Sequence, residues 1–366
     1  MMETISKETV LDALKKVQDP ELHRDIVSLG MVKNLDVADG KVKFTVELTT
    51  PACPLRETID ADCKKALAAV GIQDLEISFG AQVRGSKSGA GQTDLLPTVK
   101  NVVLVAAGKG GVGKSTVAAN LAVALKKHGA TVGLLDADIY GPSVPIIMGV
   151  KDHPEQIPVN GGFKLKPPLA HGLPVMSIGF FLERDQAVIW RGPMLGKALQ
   201  QLMADVLWGA LDYLIVDMPP GTGDVQITFS QQLKVSAALL VATPQEVALA
   251  DVIRAKSMFD KVMIPIVGIV ENMSYFICDG CGKKHEIFSR GGAERAAGRF
   301  NIPFLGEIPI TPTLREGGDM GVPILIQEPN SEVSKIFMDI AAKLAGQLSV
   351  VSEAARKAQA LKIVTT

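Results

Sequence analysis

The sequence has few cysteines, no long apolar run and no excess of charge of either sign. Four cysteines in 366 residues are too few for a disulfide scaffold, which favours free thiols or metal ligands in a reducing compartment. The formal net charge of −1 argues against an obligate nucleic-acid partner. No apolar run reaches the roughly 18 residues of a membrane span, and residues 1–16 lack a signal-peptide pattern. We therefore expect a cytoplasmic protein without a membrane span.

A segment rich in glycine and serine, residues 85–97, predicts a flexible linker between two domains. Before it, residues 1–84 predict a small α+β domain. The predicted elements of this domain are a helix, a two-stranded hairpin, a helix and a closing strand, at residues 6–17, 32–37, 42–48, 55–70 and 75–79. After the linker, residues 98–350 predict a larger domain with a final helix over 331–347, and residues 351–366 form a tail that is helical in composition but weakly apolar.

The larger domain alternates apolar strands with helices. Continuous apolar runs predict strands at residues 102–107, 131–135, 213–217, 237–242 and 266–270. Helical spacing predicts helices at residues 115–128, 193–208 and 245–260. Apolar strands joined by helices indicate an α/β fold with a mostly parallel sheet and helices on both faces. Ligands of such sheets bind beyond the carboxyl ends of the strands.

A glycine-rich loop follows the first of these strands. Residues 108–115 fit the phosphate-binding pattern G-x-x-x-x-G-K-[ST], and strand, loop and helix stand in the order that a P-loop needs. Its backbone N–H groups and the helix N-terminus favour bound phosphate. We expect Lys114 to reach the β- and γ-phosphates and Ser115 to hold Mg²⁺. A second lysine, Lys109, lies inside the loop, where the general pattern does not require one.

Acidic and polar residues follow the neighbouring strands. Asp217 ends one strand and is the expected partner of Mg²⁺, directly or through water. Asp136 and Asp138 end another strand, and we prefer Asp138 for orienting the attacking water because Asp136 lies closer to the sheet. Asn272 follows the strand at 266–270. For each aspartate the alternative is a helix cap or a turn residue.

The segment Cys278-Asp279-Gly280-Cys281 is polar and contains glycine. It is compatible with a metal or cluster half-site, a redox dithiol or a turn with two unrelated cysteines. One such pair supplies two thiolates, whereas tetrahedral zinc or a four-iron cluster needs four ligands. A two-fold dimer would complete the set. His285 is a candidate third ligand for zinc within one chain, or an ordinary surface histidine.

The remaining cysteines lie in the small domain. Cys53 precedes Pro54 at a predicted helix N-terminus, where a thiol is a good nucleophile or soft-metal ligand. The alternative for Cys53 is a packing role in the core. Cys63 lies in the middle of the helix beside apolar residues and is predicted to be a core residue.

Several motifs together carry a family resemblance. The loop Lys109–Thr116 resembles the deviant P-loop of the MinD/ParA/nitrogenase iron protein class. The wider set resembles the Mrp/ApbC-type iron–sulfur cluster carrier ATPases over residues 98–350, through 136–143, 190–193, 217–224, 271–274 and the cysteine pair. The first 85 residues, with Asp19-Pro20-Glu21 and Thr50-Pro51-Ala52-Cys53-Pro54, resemble a small iron–sulfur-assembly domain.

This resemblance implies an ATPase that binds ATP, Mg²⁺ and a [4Fe–4S] cluster. Lys109, Lys114 and Asp138 would serve catalysis, with Lys109 reaching the partner's nucleotide across a homodimer. The residues it assigns to the nucleotide are Gly108, Lys109, Gly110, Gly111, Val112, Gly113, Lys114, Ser115, Thr116, Asp217 and Asn272, the last against adenine. Cys278 and Cys281 of two chains would hold the cluster.

The resemblance also implies partners. These are apo iron–sulfur proteins and upstream cluster scaffolds, with Cys53 in an accessory role. Two other functions remain open from the sequence: a ParA/MinD-like positioning ATPase, and a regulatory ATPase dimer bridged by zinc. The absence of a basic face and of a strong apolar stripe in the tail counts against the first of these.

Overall fold

A computed structural model describes most of the chain, and its residues group into two compact units. The described ranges are residues 6–38, 41–52, 55–85, 94–159, 162–181, 201–223, 226–227, 230, 233–278 and 280–364. The first unit combines residues 1–84 with 345–366, and the second consists of residues 85–344.

The first unit is a small α+β assembly. Its elements before residue 85 are α1 (Lys7–Leu14), β1 (Gln18–Asp19), β2 (Arg24–Asp25), β3 (Val32–Ala38), β4 (Lys41–Leu48), α2 (Arg56–Ala68) and β5 (Asp74–Ala81). Strand β4 pairs antiparallel with β3 and parallel with β5. Val42, Phe44 and Val46 alternate with polar residues along β4 and are fully buried, so one face of the sheet forms the core. This agrees with the predicted hairpin.

Cys63 is buried in that core, as predicted. It lies on α2 with no exposed surface, and burial raises the pKa of its thiol to about 12. A thiol buried and held neutral in this way is a poor nucleophile, which agrees with a packing role. Cys53 lies outside the described residues.

The end of the chain differs from the predicted organisation. The final helix, α9, runs from Glu332 to Val364, so residues 351–364 are helical and continuous with the predicted helix. From residue 345 onward the chain packs with the first unit rather than the second. The reason is partly electrostatic: the Glu353 carboxylate lies 2.7 Å from Arg24 and 3.9 Å from Arg84. The sequence pattern missed this because both partners are distant in the chain.

Glu21 faces the same helix. A Cβ added at Gly346 would lie 2.1 Å from Glu21 Oε1, so a larger residue there would displace the Glu21 carboxylate. Burial raises the pKa of Glu21 from 4.5 to about 7, and the neighbouring Asp19 adds to this shift. Because the folded state holds the proton more tightly than the unfolded chain, the contribution of Glu21 to stability falls as the pH rises from about 4.5 to 7.

We expect Glu21→Gln to stabilise the protein above pH 7 and to have little effect at pH 4.5. The gain should be about 1–2 kcal/mol, because solvent screening at a half-buried site reduces the value of the full shift. Urea unfolding across this pH range measures it. The exposed Glu57→Gln in the same unit is the control, and an equal gain in both variants would contradict the assignment to Glu21.

The second unit contains the larger sheet. Its strands are β6 (Val99–Ala106), β7 (Val132–Asp136), β8 (Glu155–Val159), β9 (Gly162–Lys166), β10 (Leu169–Ala170), β11 (Leu173–Ser177), β12 (Leu211–Asp217), β13 (Ala237–Ala242), β14 (Ile266–Ile277), β15 (Lys284–His285) and β16 (Phe304–Ile310). Its helices are α3 (Lys114–Lys127), α4 (Val144–Ile147), α5 (Glu246–Lys261), α6 (Gly292–Phe300), α7 (Pro312–Met320), α8 (Ile324–Gln327) and the first part of α9. Of the predicted helix 193–208, residues 201–208 are described. Residues 201–204 are helical, but 205–208 are not, because the chain there pairs with Leu165 through Val206.

The main sheet is mostly parallel. Its order is β10-β11-β7-β12-β6-β13-β14-β15, with β16 also pairing with β14. Among the strands that the structure describes, the pairs β10–β11 and β14–β15 are the antiparallel ones in this sheet, and β8 and β9 form a separate hairpin. Every residue of β7 and β13 is buried, which requires cover on both faces. The predicted α/β fold class is therefore confirmed.

Candidate functional site

The glycine-rich loop joins β6 to α3 at the carboxyl edge of the sheet. Gly111 and Gly113 have φ of +77° and +80°, a conformation that side chains other than glycine resist. A Cβ at Gly113 would also lie 2.3 Å from Asn272 Nδ2. That amide nitrogen donates to the carbonyl oxygen of Val112 at 2.8 Å. The loop therefore takes its shape from its glycines and from a side chain on β14.

Lys114 lies in a buried ion pair. Its Nζ donates to Asp217 Oδ1 at 2.5 Å and lies 3.4 Å from Asp138 Oδ2. The Lys114 side chain is 6% exposed and that of Asp217 is fully buried. The other oxygen of Asp217, Oδ2, is buried without a hydrogen-bond partner among the described residues. Burial raises the pKa of Asp217, and the Lys114 ammonium opposes that shift.

Asp136 anchors the following loop to the sheet. It pairs in register with Asp217 on the adjacent strand. Its carboxylate accepts from the backbone of Asp138 and Val144 and from Ser177 Oγ, at 3.1, 3.2 and 3.0 Å. Burial raises the pKa of Asp136 to about 8, with Asp217 adding to the shift. Asp138 lines the cavity described next, whereas Asp136 does not.

A cavity of about 970 Å³ opens at the loop. It is lined by residues 109–116 together with Asp138 and Asn272, so it brings together most of the predicted nucleotide site. Another part of its lining was not predicted. It comprises Ile287, Phe288, Pro309, Ile310 and Leu314, which we call the apolar wall, beside the polar Thr311, Arg315 and Asp319. A weak signal for part of this wall was present: residues 304–310 are apolar apart from Gly306 and Glu307 and are followed by Thr-Pro, and a parallel strand ends at the ligand edge of the sheet.

The sequence pattern indicated that Asn272 ends its strand, but the strand continues beyond it. Strand β14 continues from Ile266 to Ile277. Its register against β16 shifts between Asn272 and Phe276, and Met273 in this shift has φ of +58°. The polar residues of the shift interrupt the apolar run, which is why the pattern stopped short.

The cysteine pair lies in the turn between β14 and β15. Cys278 N donates to Lys283 O at 3.0 Å, and Gly282 N donates to Cys278 O at 2.8 Å. Cys278 is half-buried and Cys281 is exposed. In the described part of the chain, which lacks Asp279, no three His, Cys, Asp or Glu side chains are placed to hold a metal. His285 is accordingly not brought in as a third ligand.

Some predicted features fall outside the described residues. They are Cys53 and Pro54, the Trp190–Pro193 motif, Asp224 and Asp279.

A glycine loop at the edge of a parallel sheet, with a buried lysine and facing carboxylates, defines the class of P-loop NTPases. Comparison with known families places the chain more narrowly. Residues 98–345 match the NUBPL iron-transfer P-loop NTPase family, and residues 7–79 match the iron-sulfur cluster assembly protein family. The chain belongs to the first of these families, and its amino-terminal domain matches the second.

Known proteins resemble the chain over nearly its full length. An iron-sulfur cluster carrier protein of Synechocystis is 46% identical over 94% of this chain and 99% of its own. One of Deinococcus radiodurans is 47% identical over 94% of this chain and 96% of its own. The solved structure of a nucleotide-binding protein from Archaeoglobus fulgidus, in complex with ADP, superposes with a TM-score of 0.57 at 38% identity, covering 66% of this chain and 93% of that one.

None of the helices in the described residues is both long enough and apolar enough to span a membrane.

Proposed function

We propose that this protein is an ATP-dependent carrier that binds a [4Fe–4S] cluster between two chains and transfers it to apo-proteins. The observation that carries the proposal is the position of the cysteine pair. Cys278 follows β14 directly, and Asn272 of the same strand holds the P-loop. One strand therefore links a nucleotide site to two thiols. The cluster-carrier names of relatives that match nearly the whole chain support the same function and favour it over a positioning ATPase.

The nucleotide site fits MgATP. The unpartnered Oδ2 of Asp217 is a buried acceptor without a donor among described residues, which is what a magnesium ion or its water would satisfy. Ser115 and Asp217 would hold this ion, which would neutralise phosphate charge. Lys114 would bind the phosphates, and Asp138 would orient the attacking water. The apolar wall suits a nucleobase, and we assign the adenine contact to Asn272.

The ligand count favours a dimer. Two thiolates per chain leave a four-iron cluster half coordinated, and a two-fold axis supplies the other pair. Lys109, half-buried at the cavity, would then reach the partner's nucleotide. Binding and hydrolysis of ATP would change this interface and so the release of the cluster. Because thiolate ligands require a reducing compartment, we place the carrier in the cytosol.

The partners follow from the cargo. They would be upstream scaffolds that supply clusters and apo iron–sulfur proteins that receive them. The amino-terminal domain, with Cys53 as an accessory thiol, would take part in this exchange. This role extends the match of residues 7–79 to an iron-sulfur cluster assembly family.

Anaerobic reconstitution with iron and sulfide tests the proposal. We expect about two iron and two sulfide per chain, with a dimeric mass by light scattering. The loaded protein should activate an apo enzyme that needs a four-iron cluster, and ATP should change the transfer rate. Zinc at about one per two chains, without sulfide, would instead support a zinc-bridged regulatory ATPase.

A further inference from the structure

Glu271 is a buried carboxylate to which the sequence analysis gave no individual role. Its residue has no exposed surface. Three donors surround it: Ser274 Oγ at 2.7 Å and Gly291 N at 2.9 Å on Oε1, and Ala293 N at 2.7 Å on Oε2. Burial of a carboxylate is costly, and three hydrogen bonds to the charged oxygens offset the cost. The Glu271 carboxylate therefore fixes the positions of the three residues that donate to it.

The donors belong to the two ends of the segment that carries the cysteines. We call residues 275–278 and 280–290 the cysteine arm. The arm begins after Ser274 with the last residues of β14, includes β15, and ends before Gly291, which immediately precedes α6. A single oxygen, Glu271 Oε1, accepts from both of these residues. Glu271 therefore closes the base of the arm, while residues 280–290 are exposed.

The same strand position touches the nucleotide site. Asn272 follows Glu271 and, because successive residues of a strand point to opposite faces, it is directed away from the arm's base. Its Nδ2 holds the P-loop through Val112 O at 2.8 Å. The register shift between Asn272 and Phe276 lies just beyond, with Met273 at positive φ. One peptide unit therefore separates the residue that contacts the P-loop from the residue at the base of the arm.

We propose that Glu271 is a positioning residue that couples the P-loop to the cysteine pair, so that nucleotide binding changes the placement of Cys278 and Cys281. The biological role of this coupling rests on the proposed function, but the coupling itself can be measured in protein without a cluster. Glu271 touches neither nucleotide nor cluster; it acts through Asn272 on one side and through the arm on the other.

A second set of contacts holds the arm without reaching Asn272. Arg290 NH2 lies 2.8 Å from Glu307 Oε2 on β16. Within the arm itself, Lys284 Nζ lies 4.4 Å from the centre of the Tyr275 ring. Glu307→Gln therefore weakens the hold on the arm but leaves the carboxylate at its base unchanged, which makes it the matched control for Glu271→Gln.

Alkylation rates of the two cysteines test the coupling in full-length, cluster-free protein. Mass spectrometry of iodoacetamide-treated protein gives the rate at Cys278 and Cys281 with MgATP, with MgADP and without nucleotide. In the wild type we expect nucleotide to change the rate about fivefold, which is a modest allosteric coupling. In Glu271→Gln, the ratio of the alkylation rate with nucleotide to the rate without it should be close to one, while nucleotide affinity stays within about threefold of the wild-type value. Glu307→Gln should change the rates with and without nucleotide by the same factor, so their ratio should stay at the wild-type value.

A wild-type ratio retained in Glu271→Gln would overturn the proposal, and so would a ratio of one in the wild type. Should Glu271→Gln fail to fold, Ser274→Ala decides the matter, because it removes one donor of the three. A reduced ratio in Ser274→Ala supports the coupling, and an unchanged ratio opposes it. Since no iron or sulfide is present, these results are independent of whether the protein carries a cluster.

Discussion

Lys114→Ala is expected to lose both nucleotide turnover and several kcal/mol of stability. The turnover should fall at least about 100-fold, because the ammonium is a preorganised charge for the transferred phosphate. The loss of stability has a separate cause. Without Lys114, the buried Asp217 loses the cation 2.5 Å from its Oδ1, and Asp138 loses the one at 3.4 Å. Removing one partner of a buried pair costs about 3–5 kcal/mol.

Measurements of chemical unfolding and of phosphate release separate the two effects. The double variant Lys114→Ala/Asp217→Asn should recover much of the stability, because the carboxylate left behind is now neutral, but none of the turnover. Lys109→Ala is the control for stability, since Lys109 is half-buried in the same loop and should unfold like the wild type. A Lys114→Ala protein as stable as the wild type would show that the ion pair does not stabilise the fold in solution.

This ion pair also shows the limit of the sequence. The loop motif predicted where Lys114 lies and which ligand it serves, because glycine spacing and a following helix are local properties. It did not predict that Lys114 and Asp217, which are 103 residues apart, pair with each other. That contact depends on the order of strands in the sheet, with β12 between β6 and β7. Strand order is not contained in the periodicity of any one segment.

The apolar wall of the cavity was less predictable from the sequence. The cavity wall from Pro309 to Leu314 is built by β16 and α7, which the pattern did not identify. Gly306 and Glu307 interrupt the apolar pattern of strand β16, so no continuous apolar run marks it in the sequence. In the same way the shift after Asn272 concealed the length of β14. Irregular strands border this site, and hydrophobic periodicity fails where a strand departs from regular pairing.

The cysteine pair, by contrast, could be identified from the sequence alone. We expect its replacement to abolish cluster binding. We expect Cys278→Ala/Cys281→Ala to lose essentially all iron and sulfide after anaerobic reconstitution. Cys278 is half-buried and Cys281 is exposed, and neither belongs to the buried core, so their replacement leaves no large void there. Nucleotide affinity and the unfolding midpoint should therefore stay close to the wild-type values.

Cys63→Ala is the matched control for this loss of iron. Its thiol is buried in the core of the first unit, where burial raises its pKa to about 12. The variant should keep the whole cluster and lose about 1–2 kcal/mol of stability to the small cavity. If the double variant kept its iron and sulfide, the ligands would lie elsewhere, and Cys53→Ala would be the next variant to analyse. Iron lost from the double variant and kept in Cys63→Ala assigns the cluster to the turn, and two thiolates per chain then require a second chain to complete it.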